Sequence, residues 1–179
     1  MPDQRTIKDY LLHAVNREAF MEEFPEPVLV RKEAVAEPDP GPGGLGFSTL
    51  RIDVTGEGPG LAGMGIPHGD VPVYPVRDSG RNSHVGLITT GRTEANDIGL
   101  PIPGISKLHA YFLVDPETGQ WCLVDNNSTN GTFLGGERLG GKQPVALFDG
   151  QVISFAEVAE FTFYFPEGLF ELLSSAAQF

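Results

Sequence analysis

Apolar and polar positions alternate through most of the second half of the chain. Phe161, Phe163 and Phe165 are separated by Thr162 and Tyr164, which predicts a strand with one aromatic face. Shorter β-type runs fall at residues 71–76, 85–90, 110–114, 121–124, 132–134, 138–139, 145–148 and 152–155. Turn signals separate them: Asp78-Ser79-Gly80, Asp115-Pro116-Glu117-Thr118-Gly119, Gly135-Gly136 and Asp149-Gly150. Gly135-Gly136 suits a primed hairpin turn, and Asp149-Gly150 is expected to turn residues 145–148 into 152–155. Many short strands with closely spaced turns predict an all-β domain, a sandwich or a barrel.

The two ends follow a helical period instead. Thr6 with Asp9 forms a capping-box pattern, and Ile7, Tyr10, Leu11, Ala14 and Met21 then line one face of a single helix expected over residues 6–23. Phe24-Pro25 ends it, because a residue before proline is pushed away from the α region. Such a stripe either docks on its own sandwich or presents a partner surface. Leu169, Leu172, Leu173 and Ala176 predict a short terminal helix closing one end of the sandwich. The expected organisation is an N-terminal helix (1–25), a connector (26–70), a β domain (71–166) and a C-terminal segment (167–179).

The connector is rich in Gly and Pro, with strand-like runs at 28–35 and 47–54 whose pairing the sequence leaves open. Gly41, Gly43 and Gly46 have the spacing of a dinucleotide-binding loop. Pro42 sits inside that loop and a strand pattern, not a helix, follows, so cofactor binding is not expected there.

Composition narrows the function classes. Forty per cent hydrophobic and twenty per cent charged residues are ordinary for a globular protein. The net charge is −12, and residues 1–70 and 71–179 each hold 6 Lys+Arg against 12 Asp+Glu, so each part carries −6. Neither nucleic acid nor an acidic membrane suits such a surface. An anionic peptide would have to be caught by a local cationic spot, and the surrounding acid would favour basic flanks. Cys122 is the only cysteine, which excludes an intrachain disulfide and a cysteine-based metal site. The opening residues lack a charged-then-apolar signal pattern, so a cytoplasmic location is the expectation.

Candidate chemistry gathers between Gly91 and Thr132. Gly91-Arg92, then Ser106-Lys107-Leu108-His109, then Asp125-Asn126-Asn127-Ser128-Thr129-Asn130-Gly131-Thr132 place a guanidinium, hydroxyls and a carboxamide on loops between short strands. None is a good nucleophile or base by itself, but together they are the donors an immobile dianion would want. Gly131 after Asn130 permits a positive φ or a close approach. A calcium loop starting at Asp125 fails, because Asn130 stands at its sixth position and Gly136 where a bidentate Glu belongs. Ser106, His109 and Asp125 are the residue types of a hydrolytic triad, but their spacing does not ensure that they meet.

Gly91-Arg92, Asn96-Asp97-Ile98, Ser106-x-x-His109, Asp125 and Ser128-x-Asn130-Gly131-Thr132 together resemble the forkhead-associated (FHA) domain, over roughly residues 71–165. The resemblance implies an FHA-type β-sandwich whose apical loops bind phosphothreonine peptides without catalysis, cofactor or metal. It implies that Arg92, Ser106, Lys107, Thr129 and Asn130 contact the phosphopeptide. Gly91, His109 and Gly131 would support them, with His109 bracing the Ser106 loop. The implied role is an adaptor in Ser/Thr kinase signalling, whose partner is a phosphothreonine-containing protein, a Ser/Thr kinase or its substrate. A phosphate-independent interaction scaffold and, from another class, a hydrolase are the alternatives. One departure stands out: the family usually has Phe-Gly late in the domain, and here Phe155-Ala156 occupies that turn, which is expected to lie away from the phosphate loops.

Overall fold

The computed structural model describes residues 5–32 and 70–176. The expected strand at 47–54 and the Gly41-Gly43-Gly46 stretch lie outside them, as does the Ala176 side chain.

Eleven strands form two sheets among the described residues. They are β1 (Val28–Arg31), β2 (Val73–Pro75), β3 (Ile88–Gly91), β4 (Ile98–Gly99), β5 (Ala110–Val114), β6 (Trp121–Asp125), β7 (Thr132–Leu134), β8 (Glu137–Arg138), β9 (Val145–Ala146), β10 (Val152–Phe155) and β11 (Ala159–Tyr164). One sheet has the order β2-β1-β11-β10-β7-β8 and the other β4-β3-β5-β6-β9. The fold is a β-sandwich, with Phe112 and Leu123 from one sheet meeting Leu29, Ile153, Phe155, Phe161 and Phe163 from the other in one apolar core. Phe161 and Phe163 are fully buried, as the alternation in β11 requires. Phe112 and Phe163 stack across the two layers, their ring centroids 6.5 Å apart.

Three expectations are corrected. The helix predicted over residues 6–23 is two helices, α1 (Ile7–Leu11) and α2 (Arg17–Glu23). The start behaves as the capping box requires, with the Thr6 N–H donating to Asp9 Oδ2 at 2.7 Å. Asn16 then caps a second helix, its Oδ1 accepting the Ala19 N–H at 3.2 Å. The chain turns between them, leaving Leu12 and Val15 exposed. Second, residues 145–148 and 152–155 do not form a hairpin. β9 pairs with β6 in one sheet while β10 pairs with β7 and β11 in the other, so the Asp149-Gly150 turn carries the chain between layers. Leu147, fully buried, occupies the core at this crossing. Third, α3 (Pro166–Ala176) does not close an end of the sandwich. It lies over the outer face of the six-stranded sheet, where Leu169 and Leu173 join Ile7, Tyr10, Phe20, Phe24, Val28, Val30 and Val73 in a second core. Successive strand residues point to opposite faces, so Val28 and Val30 serve this outer core while Leu29 serves the inner one.

The run at 28–31, placed in the connector by its sequence surroundings, is a paired strand: β1 joins β11 and β2, both antiparallel. At the other edge of this sheet, Gly135 and Gly136 have φ of 59° and 87°, the double positive φ of a primed turn, and they close the β7–β8 hairpin.

Candidate functional site

Two loops meet at one end of the sandwich: residues 100–109 lead into β5, and residues 126–131 lead out of β6. Because β5 and β6 pair from Ala110↔Asp125 onward, the two loops leave the sheet side by side. The meeting is made by hydrogen bonds. Ser106 Oγ accepts the Thr129 N–H at 3.1 Å and lies 3.5 Å from Thr129 Oγ1. Asn130 Nδ2 donates to the Gly104 carbonyl at 2.8 Å, which leaves its side-chain oxygen as an acceptor. Thr129 and Asn130 are exposed and Ser106 is half-buried, so all three present polar atoms at the surface.

His109 stands behind them, fully buried. Its Nδ1 accepts the Ser106 N–H at 3.1 Å, which fixes the neutral tautomer with hydrogen on Nε2, and Nε2–H donates to the Gly131 carbonyl at 3.0 Å. Burial lowers the basicity of the ring, against the opposing pull of the Gly131 carbonyl and the Asp125 charge. Both ring nitrogens are committed to backbone groups, so His109 does not take the proton of the Ser106 hydroxyl. The residue types of the triad come near one another without the geometry of one.

Asp125 organises the second loop. Its Oδ1 accepts from Ser128 Oγ at 2.6 Å and Thr132 Oγ1 at 2.7 Å, and its Oδ2 accepts the Ser128 N–H at 3.0 Å. Burial would raise its pKa, but these hydrogen bonds outweigh that and hold the carboxylate below its usual range. Ser128 Oγ also accepts the Gly131 N–H at 3.0 Å, and Gly131 adopts φ of 89°.

Arg92 follows β3, and its backbone N–H donates to the Ser106 carbonyl at 2.9 Å. Its side chain is exposed and forms no ion pair among the described residues. Lys107 is likewise exposed and without an ion pair among them. Gly91 is dictated by contact: a Cβ there would stand 2.3 Å from the Lys107 carbonyl oxygen and 2.9 Å from its carbon. That carbonyl is held in place by Asn96 Nδ2 at 2.7 Å and Thr93 Oγ1 at 3.1 Å. Gly91-Arg92 and Asn96 thus act on the same loop from below.

Two features escape the sequence reading. The Arg138 guanidinium lies against Gly131, with Nε 2.7 Å from where a Cβ of residue 131 would be. It belongs to β8, and a short exposed strand offers no signal that its side chain folds back over the loop. The Phe155-Ala156 turn also differs from expectation, because it is not remote from the loops. Ala156 and Glu157 take φ of 57° and 56°, and the Ala156 N–H donates to the Gly131 carbonyl at 2.9 Å. Ala156 occupies a left-handed position that usually favours glycine, and the Gly131 oxygen accepts from it and from His109 together.

Among the described residues no cluster of three or more His, Cys, Asp or Glu is arranged to hold a metal ion, and no helix is long and apolar enough to cross a membrane.

The FHA domain family model matches residues 88–156, the span that holds both loops. An FHA domain-containing protein of Arabidopsis thaliana is 35% identical over 78 residues, which cover 44% of this chain and 19% of that protein's own length. Among solved structures, Mycobacterium tuberculosis EmbR in complex with a low-affinity phosphopeptide is 29% identical, over 52% of this chain and 21% of that one, with a TM-score of 0.43. The N-terminal FHA domain of S. cerevisiae Rad53p in complex with a phosphothreonine peptide is 26% identical, over 48% and 72% of the two chains, with a TM-score of 0.40.

Proposed function

We propose that this chain, whose residues 88–156 match the FHA domain family model, is a non-catalytic phosphothreonine-peptide-binding module, acting as an adaptor in Ser/Thr kinase signalling. The observation that carries this reading is the junction of Ser106 with Thr129, beside an Arg92 side chain that has no acidic partner among the described residues. In this reading the fixed Ser106 and Thr129 hydroxyls, with the uncommitted Arg92 guanidinium, serve as donors to a dianion. In this reading Arg92, Ser106 and Lys107 take the phosphate oxygens, Thr129 lines the slot for the phosphothreonine side chain, and the free Asn130 oxygen holds the peptide backbone. Gly91, His109 and Gly131 keep the loops in place. The partner is a phosphothreonine-bearing protein, a kinase or its substrate, met in the cytoplasm.

Calorimetric titration with three versions of one peptide tests it: phosphothreonine, phosphoserine and unphosphorylated threonine. Phosphothreonine should bind tightest and the unphosphorylated peptide far more weakly. Arg92 and Ser106 meet the same phosphate in both phosphopeptides, so discrimination rests on one buried methyl, worth about 0.8 kcal/mol by transfer and about 1–3 kcal/mol in a fitted pocket. That corresponds to a several-fold to roughly hundredfold preference over phosphoserine. Equal affinity for the unphosphorylated peptide would overturn the reading in favour of a phosphate-independent scaffold.

A further inference from the structure

Beside the Ser106 loop lies an open cavity of about 270 Å³. One wall is the segment before β3, with Arg81, Ser83 and His84, and the facing wall carries Thr93 and Lys107. In a chain of net charge −12, this cavity is lined by two permanent cations, an imidazole and hydroxyls, with no carboxylate. Arg81 and His84 form no ion pair among the described residues, so their side-chain donors are not committed to a carboxylate, and Lys107 stands between this cavity and the first site. Arg81, Ser83 and His84 precede the stretch that matches the family model, so the motif residues do not account for them.

The wall is built, not loosely draped. Asp97, next to the Asn96 that holds the Lys107 carbonyl, anchors it through both oxygens. Its Oδ1 accepts the Ser79 N–H at 2.8 Å and Ser79 Oγ at 2.7 Å. Its Oδ2 accepts the Thr89 N–H at 2.8 Å, Thr89 Oγ1 at 3.1 Å and Asn82 Nδ2. Asn82 in turn accepts the His84 N–H at 2.6 Å. The Asp97 carboxylate is therefore saturated by donors, and Arg81 and His84 sit on a segment pinned to β3.

We propose that this cavity is a second anion site, taking a second phosphoryl group carried by the same peptide. The inference rests on the phosphothreonine reading of the neighbouring site. Ser106 and Lys107 are adjacent in the chain, so the two sites are within the reach of a few extended residues at about 3.3–3.6 Å each. Phosphate suits the cavity better than a carboxylate, because its second charge and third oxygen can engage Arg81, His84 and the Ser83 hydroxyl together. The preference for basic flanks expected from overall charge then has a local exception: a flank phosphorylated at the right spacing binds better than a neutral one.

The test is calorimetry on the full chain with doubly phosphorylated peptides, the second phosphothreonine two, three or four residues to either side of the first. Parallel peptides carry Thr or Glu at the second position. At one spacing the second phosphate should tighten binding at least about tenfold. The gain should vanish in Arg81→Gln and His84→Asn, while affinity for the singly phosphorylated peptide is unchanged. No gain at any spacing, a gain that survives Arg81→Gln, or an equal gain from Glu would overturn the proposal while leaving the first site standing. Inorganic phosphate followed by amide chemical shifts reads the cavity independently of any peptide. Saturable shifts at residues 82–84, lost in Arg81→Gln, support the second site even if no singly phosphorylated peptide binds. Their absence in the wild type counts against it.

Discussion

His109 Nε2 donates to the carbonyl oxygen of Gly131 at 3.0 Å, joining two loops that lie 22 residues apart in the chain. With Nδ1 accepting the Ser106 N–H, one imidazole spaces the two halves of the candidate site. The arrangement works only while the ring is neutral, since protonation at Nδ1 would turn an acceptor toward a donor.

A pH dependence follows. Burial holds the folded pKa of His109 below its usual value, so the unfolded chain binds the proton more readily. Its contribution is full above the unfolded value of about 6.5 and is lost as pH falls from there through the lowered folded value. Urea midpoints between pH 8 and 5 should decline across this window, and the ring proton shift should titrate below the ordinary histidine range. Asp125 acts lower, its hydrogen-bonded carboxylate losing its contribution as pH falls below about 4.

Gly91→Ala should be costly. The added Cβ would stand 2.3 Å from a Lys107 carbonyl oxygen already bound by Asn96 and Thr93, so backbone must move. A loss of about 1–3 kcal/mol is expected by denaturant titration, with displaced Ser106 and Lys107 amide resonances. Gly99→Ala is the control: its nearest neighbour would be 3.8 Å away, and stability should hardly change.

Arg92→Ala should separate binding from folding. The Arg92 N–H to the Ser106 carbonyl survives the substitution, and the side chain has no ion pair to lose among the described residues. A charge-assisted hydrogen bond contributes roughly 1.5–3 kcal/mol, so phosphothreonine-peptide affinity should fall at least about tenfold by calorimetry, at nearly constant melting temperature.

Phe20→Ala should do the reverse. Phe20 is fully buried, with ring centroids 5.0 Å from Phe24 and 5.4 Å from Phe170. Removing it should cost about 3–5 kcal/mol in thermal or chemical unfolding. The outer core lies across the six-stranded sheet from the inner one, so phosphopeptide affinity of the folded fraction should be unchanged. A weakened affinity would show instead that the helical layer supports the loops.

What the sequence by itself determined was local. Alternation along residues 159–164 says that Phe161 and Phe163 share a face, Gly135-Gly136 demands a primed turn, and Thr6 with Asp9 starts a helix. The motif residues of the two loops were also legible, because hydroxyls, a guanidinium and Asn-Gly on loops announce themselves by type and order. Tertiary structure decided which faces meet. Periodicity says that Leu169 and Leu173 are buried but not that they face Phe20, nor that β9 leaves β10 for β6. It does not say that Arg138 lies over Gly131, that Ala156 reaches the Gly131 carbonyl, or that Asp97 pins the Arg81 segment beside Lys107. Each of these joins positions distant in the chain. Side-chain period encodes only which side of an element is buried, and the choice of partner is made by packing and by hydrogen-bond satisfaction across the assembled sandwich.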